Sequence, residues 1–88
     1  MYPAKLSEMG FKDLPKASGR RHAKAIETLG CKFRKETGSH LIYTPSNIYG
    51  VVISIPDHDE VALGTLKQLL RLLSIDDADY RRVFGEVN

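Results

Sequence analysis

A histidine that opens a strand directly behind a Gly-Ser turn is the arrangement in this chain best suited to chemistry. Thr37-Gly38-Ser39-His40-Leu41-Ile42-Tyr43 puts His40 at the mouth of an apolar, strand-forming run, where glycine lets backbone come close to a ligand. With an ordinary pKa of ~6.5, a histidine can take and return a proton at neutral pH. The same residue on the exposed face of a half-buried strand need do no chemistry, so its placement leaves both readings open. His58 is the second acid–base candidate, because Asp57, Asp59 and Glu60 beside it can favour its protonated form. A solvated loop histidine among carboxylates also fits. Asp57, His58 and Asp59 make a poor metal site, since neighbours in an extended loop do not all point one way. No Cys/His set has zinc spacing.

Charge is unevenly spread. From Met1 to Gly38 there are nine Lys and Arg against four Asp and Glu, and from Ser39 to Asn88 four against seven. A basic face of this kind attracts phosphate backbones, so a nucleic-acid partner is plausible though not compelled. Lys32, Arg34 and Lys35 are the cations nearest His40 in sequence on the preceding strand. His40 can act as the base that deprotonates a ribose 2′-hydroxyl, or as the acid that protonates the leaving oxygen. Those cations would offset charge gathering on the phosphate. The Gly38-Ser39 backbone and the Ser39 hydroxyl can hold a phosphate oxygen nearby. Such a cut needs no metal and no cofactor.

The elements that must position these groups are few. At 88 residues, 42% hydrophobic and 27% charged, the chain has room for one packed domain and no second fold. Residues 1–17, with Pro3, Gly10 and Pro15, read as an irregular arm whose Leu6, Met9, Phe11 and Leu14 reach the core; residues 18–88 read as the domain. Ser18 is an N-cap, and a helix runs from it to about Leu29 and stops at Gly30. Ala25, Ile26 and Leu29 share one face of this helix, with His22 at the boundary of the packing.

Cys31 to Lys35 alternates apolar with cationic, predicting a strand with Cys31 and Phe33 inward and Lys32 and Arg34 outward. Leu41 to Thr44 is the second strand. Pro45 to Gly50 is its hairpin connection, and Val51 to Ile55 is the third strand, ended by Pro56. A helix over about Gly64 to Leu73 carries the stripe Leu66, Leu69, Leu70 and Leu73. A last short helix starts from the N-cap Asp76, packs through Tyr80, Val83 and Phe84, and closes at Gly85.

The lone Cys31 cannot close an intrachain disulfide and reads as a buried thiol in a reducing compartment. No apolar run is long enough to span a bilayer and no signal segment opens the chain, which points to the cytoplasm. Helix, three antiparallel strands and helix give an α+β two-layer sandwich with both helices on one face of the sheet. Double-stranded-RNA-binding domains use that α-β-β-β-α architecture. Here a short extra C-terminal helix follows.

Five separated pieces resemble the HicA-type toxins of HicA/HicB toxin–antitoxin systems. They are Ser18-Gly19-Arg20, Leu29-Gly30, Gly38-Ser39-His40, Ile55-Pro56-Asp57-His58 and Gly64-Thr65-Leu66, all in the family's order. The similarity covers about Leu14 to Leu73. It departs at Cys31, where many members carry an aromatic, and in the arm before Leu14. The resemblance implies a small metal-independent endoribonuclease, an mRNA interferase, that cleaves messenger RNA and is restrained by a HicB-type antitoxin. The histidine of the family's G-S-H motif, here His40, is then catalytic. Lys32, Arg34, Lys35, Gly38 and Ser39 are the RNA-binding candidates, and neither DNA nor a membrane is an expected partner. The rivals are a non-catalytic RNA-binding module of the same fold and a protein-binding domain that uses the open sheet face.

Overall fold

A computed structural model describes residues 14–87 of the chain. Along them run α1 (Gly19–Thr28), β1 (Cys31–Thr37), β2 (His40–Pro45), β3 (Ile53–Pro56), α2 (Leu63–Leu73) and α3 (Asp77–Val87). The strands form one antiparallel sheet in the order β1-β2-β3. This is the expected α+β meander, with the arrangement of a double-stranded-RNA-binding domain. Leu14 is buried in the core, while Leu6, Met9 and Phe11 lie outside the described residues.

Local signals set the ends of α1. The Ser18 hydroxyl accepts from the Arg21 N–H at 3.2 Å, satisfying one donor of the first turn. Gly30 follows the last turn at φ +96°, a conformation glycine adopts without a Cβ clash. Ser18→Ala is expected to lower stability by about 1 kcal/mol, as for other lost caps. A urea midpoint equal to that of the unaltered chain would show that the cap contributes nothing.

Alternation along β2 sorts the faces of the sheet. Leu41, Tyr43 and Pro45 are buried on the helix side, and His40, Ile42 and Thr44 point the other way. Ile53 and Ile55 of β3 join the buried set, packed with Ala25 and Ile26 of α1 and with Leu66, Leu69 and Leu70 of α2. Tyr43 keeps its hydroxyl satisfied by donating to Glu27 Oε2 at 2.7 Å.

Phe33 departs from expectation. It pairs with Tyr43 on the helix side, its ring edge-on at 5.5 Å, yet it is 51% exposed. β1 is the outer strand, and α1 leaves a groove over it lined by Lys24, Glu27, Phe33 and Tyr43, so alternation set the direction of Phe33 without covering it. The register also shifts between Phe33 and Lys35, making Arg34 the extra residue of a β-bulge. Cys31 is buried as expected, and burial pushes its thiol pKa up.

The extra C-terminal helix is present and runs past its expected stop at Gly85. Its N-cap is Asp76, whose Oδ1 accepts from the Asp79 N–H at 2.8 Å. It continues through Gly85 to Val87, because a glycine inside a helix costs only about 1 kcal/mol against alanine and need not stop it. Tyr80 and Phe84 are buried, and Ile75 packs against the same core.

His22 also departs from expectation: it is fully buried between α1 and α3, not at a boundary. Its Nδ1 shares a 2.7 Å hydrogen bond with the Tyr80 hydroxyl, and its ring lies 5.1 Å from that of Phe84. Nε2 has no hydrogen-bond partner among the described residues, and the Pro15 backbone favours the protonated ring. Burial outweighs that and lowers the His22 pKa below its ordinary 6.5, helped by the charge of Arg21. Above that ordinary value the ring is neutral in both folded and unfolded chains and adds no pH dependence. As pH falls below ~6.5 the unfolded chain takes up a proton that the fold refuses, so stability drops. Melting temperature followed from pH 7 to pH 5 should therefore fall more steeply for the unaltered chain than for His22→Phe. Parallel curves would show that the buried ring is not the acid-sensitive group.

Candidate functional site

His40 is the first residue of the central strand, and both neighbours help to place it. It pairs with Thr37 across the tight Gly38-Ser39 turn and with Pro56 at the end of β3. Gly38 has φ +56° and Ser39 does not go positive, the pattern of a two-residue hairpin with glycine first. The turn puts the exposed His40 at the rim of the sheet, on the face away from the helices.

Register brings the basic residues to that same face. Lys35 pairs with Ile42 and Lys32 with Thr44, and both partners point away from the core. Arg34, displaced by the bulge, donates from Nε to Thr44 Oγ1 at 2.8 Å. Lys35 is thus one step along the face from His40, with Arg34 and Lys32 farther down. All three are exposed. Ser54 of β3, paired with Ile42, completes the row.

The Pro56-Asp57-His58 segment closes the His40 end. The Asp57 N–H donates to the Ser39 carbonyl at 2.7 Å, and the His58 carbonyl accepts from the Gly19 N–H at 2.9 Å. The exposed His58 therefore belongs to the same end of the molecule as His40. Asp57 is committed elsewhere: its Oδ2 accepts from Arg20 at 2.9 Å, and the same guanidinium reaches Glu36 Oε2 at 3.4 Å. These carboxylates, Asp57 first, raise the Arg20 pKa further. Arg20 thereby ties the start of α1 to both the β1–β2 hairpin and the exit of β3. Exposed ion pairs of this kind stabilise little but restrict geometry.

Sequence reasoning missed Arg20 in this role. Its partners lie 16 and 37 residues away, and only its opposite charge to theirs hinted at the pairing. Among the described residues no group of three or more His, Cys, Asp or Glu is placed to hold a metal ion. No helix among them is long and apolar enough to cross a membrane.

This frame of α1, three strands and α2 is what a family comparison recovers. The family model described as the HicA toxin of bacterial toxin-antitoxin matches residues 19–75, from the first residue of α1 to just past α2. The chain belongs to the HicA toxin family. It is therefore the toxin of a toxin–antitoxin pair and has an antitoxin counterpart. No curated protein and no solved structure matches this HicA toxin. The matched span contains the G-S-H turn, the basic strand and the Pro56-Asp57-His58 segment, and it leaves α3 outside.

Proposed function

We propose that this HicA toxin is a metal-independent endoribonuclease that cuts messenger RNA with His40 as its general base or acid. What supports the reading is one observation above the others. An exposed histidine stands on the open face of the sheet in line with Lys35, Arg34 and Lys32. Such a face attracts a phosphate backbone and offers a proton-transfer group at one end of the contact.

In the reaction, the ribose 2′-oxygen forms a bond to the adjacent phosphorus as the bond from phosphorus to the 5′-oxygen breaks. His40 removes the 2′-hydroxyl proton or supplies the proton that the departing oxygen takes up. Lys35 offsets the charge that builds on the phosphate. The Ser39 hydroxyl and the Gly38-Ser39 backbone hold a non-bridging oxygen. His58, from the adjoining segment, is the candidate for the second proton transfer. A HicB-type antitoxin silences the toxin by covering His40 and the basic strip.

The test is an end-labelled oligoribonucleotide incubated with purified toxin in excess chelator. Cleavage leaving a 2′,3′-cyclic phosphate, with a fully 2′-deoxy oligonucleotide left whole, is the expected result. RNA that is bound but stays intact would replace this reading with that of a non-catalytic RNA-binding module.

A further inference from the structure

Tyr49 stands fully in solvent, at 103% relative exposure, on the loop between β2 and β3. An aromatic ring placed there contributes nothing to the core. It rims a cleft of about 460 Å³ together with Arg34, Thr44, Asn47 and Val52. Thr44 is on the open face, four residues along β2 from His40, a span of roughly 14 Å at the rise of a strand. The cleft is therefore the far end of the same face, with Lys35 on the way to it and Lys32 level with Thr44. Arg34 is fixed at its rim through the bond to Thr44, which uses one of the five guanidinium donors.

Aromatic rings beside guanidinium groups suit single-stranded nucleic acid, whose bases stack on them while phosphates meet the charge. We propose that this cleft holds a nucleobase of the RNA a few nucleotides from the phosphate at His40, stacked on Tyr49, with Arg34 on the neighbouring phosphate. A stacked strand rising ~3.4 Å per nucleotide covers the distance in about four steps, and an extended one in fewer. The Asn47 amide, which both donates and accepts, stands ready to read the edge of that base. The inference rests on the reading of this face as the RNA-cleaving surface. It adds a second point of attachment that fixes how the strand lies.

A 2′-O-methyl octaribonucleotide, which has no free 2′-hydroxyl and so cannot be cut, separates this inference from the question of catalysis. Its affinity for the full chain is measured by fluorescence anisotropy at fixed low salt. Tyr49→Ala is expected to weaken binding by roughly 5- to 150-fold, the range for loss of one base–aromatic stack, while Tyr49→Phe retains it. In cleavage of the all-ribose octamer, Tyr49→Ala should raise KM and leave kcat unchanged. Tyr49-dependent binding by a protein that cuts nothing would reject the nuclease and keep the cleft. Unchanged binding by Tyr49→Ala would overturn the cleft, and so would an RNA affinity left intact while antitoxin binding falls.

Discussion

His40→Ala is expected to abolish RNA cleavage, lowering the rate by about 10²- to 10⁴-fold, the usual contribution of a positioned acid or base. Growth arrest by the toxin should disappear with it. The fold should survive, because the side chain is exposed on the open face and lies outside the buried cluster. Surface replacements of this kind shift stability within about 0.5 kcal/mol. Measuring cleavage and melting temperature on the same preparation separates the alternatives. Lost cleavage at an unchanged melting temperature assigns His40 to the reaction. A variant that melts early makes it a structural residue of the hairpin, and one that cuts at the normal rate moves the chemistry elsewhere.

That His40 would stand exposed at a strand end could be read from local chemistry. Gly38 and Ser39 specify a tight turn, and the alternation Leu41, Ile42, Tyr43 then fixes which face His40 takes. Ser18, Gly30 and Asp76 act within their own turns and marked helix ends for the same reason. What was not legible depends on residues far apart in the chain. His22 looked like a boundary residue because its burial comes from Tyr80, 58 positions later. Phe33 satisfied the alternation and stayed half exposed because β1 is an outer strand whose covering helix leaves a groove. The bulge at Arg34 appears only once the register with β2 is known. The Arg20–Asp57–Glu36 linkage had no spacing to betray it, although it joins the start of α1 to both β1 and the exit of β3.

Gly19→Ala is the substitution in which fold and site are expected to fail together. Sequence reading placed Gly19 after the Ser18 cap and in the Ser18-Gly19-Arg20 piece of the resemblance, with no reason for a glycine there. In the structure, the space where its Cβ would lie is occupied by the Pro56 carbonyl oxygen, with the Pro56 carbonyl carbon at 3.0 Å and the Asp57 Cα at 3.3 Å. All three are backbone atoms, so no side-chain rotation can clear the methyl group. The segment cannot retreat easily, since the Asp57 N–H is bonded to Ser39 and the His58 carbonyl to Gly19 itself. Overpacking of this kind costs about 1–3 kcal/mol or more, a large share of the stability of so small a domain. Relief must come from α1 lifting away from Pro56, the cross-strand partner of His40. A misplacement of about 1 Å is enough to cost about 10²-fold in rate. Gly64→Ala supplies the contrast, because nothing lies within 4 Å of its Cβ position near the start of α2. There the methyl group should stabilise by up to ~1 kcal/mol through helix propensity. Urea unfolding and cleavage rate, measured on both variants, should therefore move in opposite directions for stability and fall only for Gly19→Ala in activity. A Gly19→Ala toxin as stable and active as the unaltered chain would mean that α1 does not bear on the end of β3 as closely as the geometry requires.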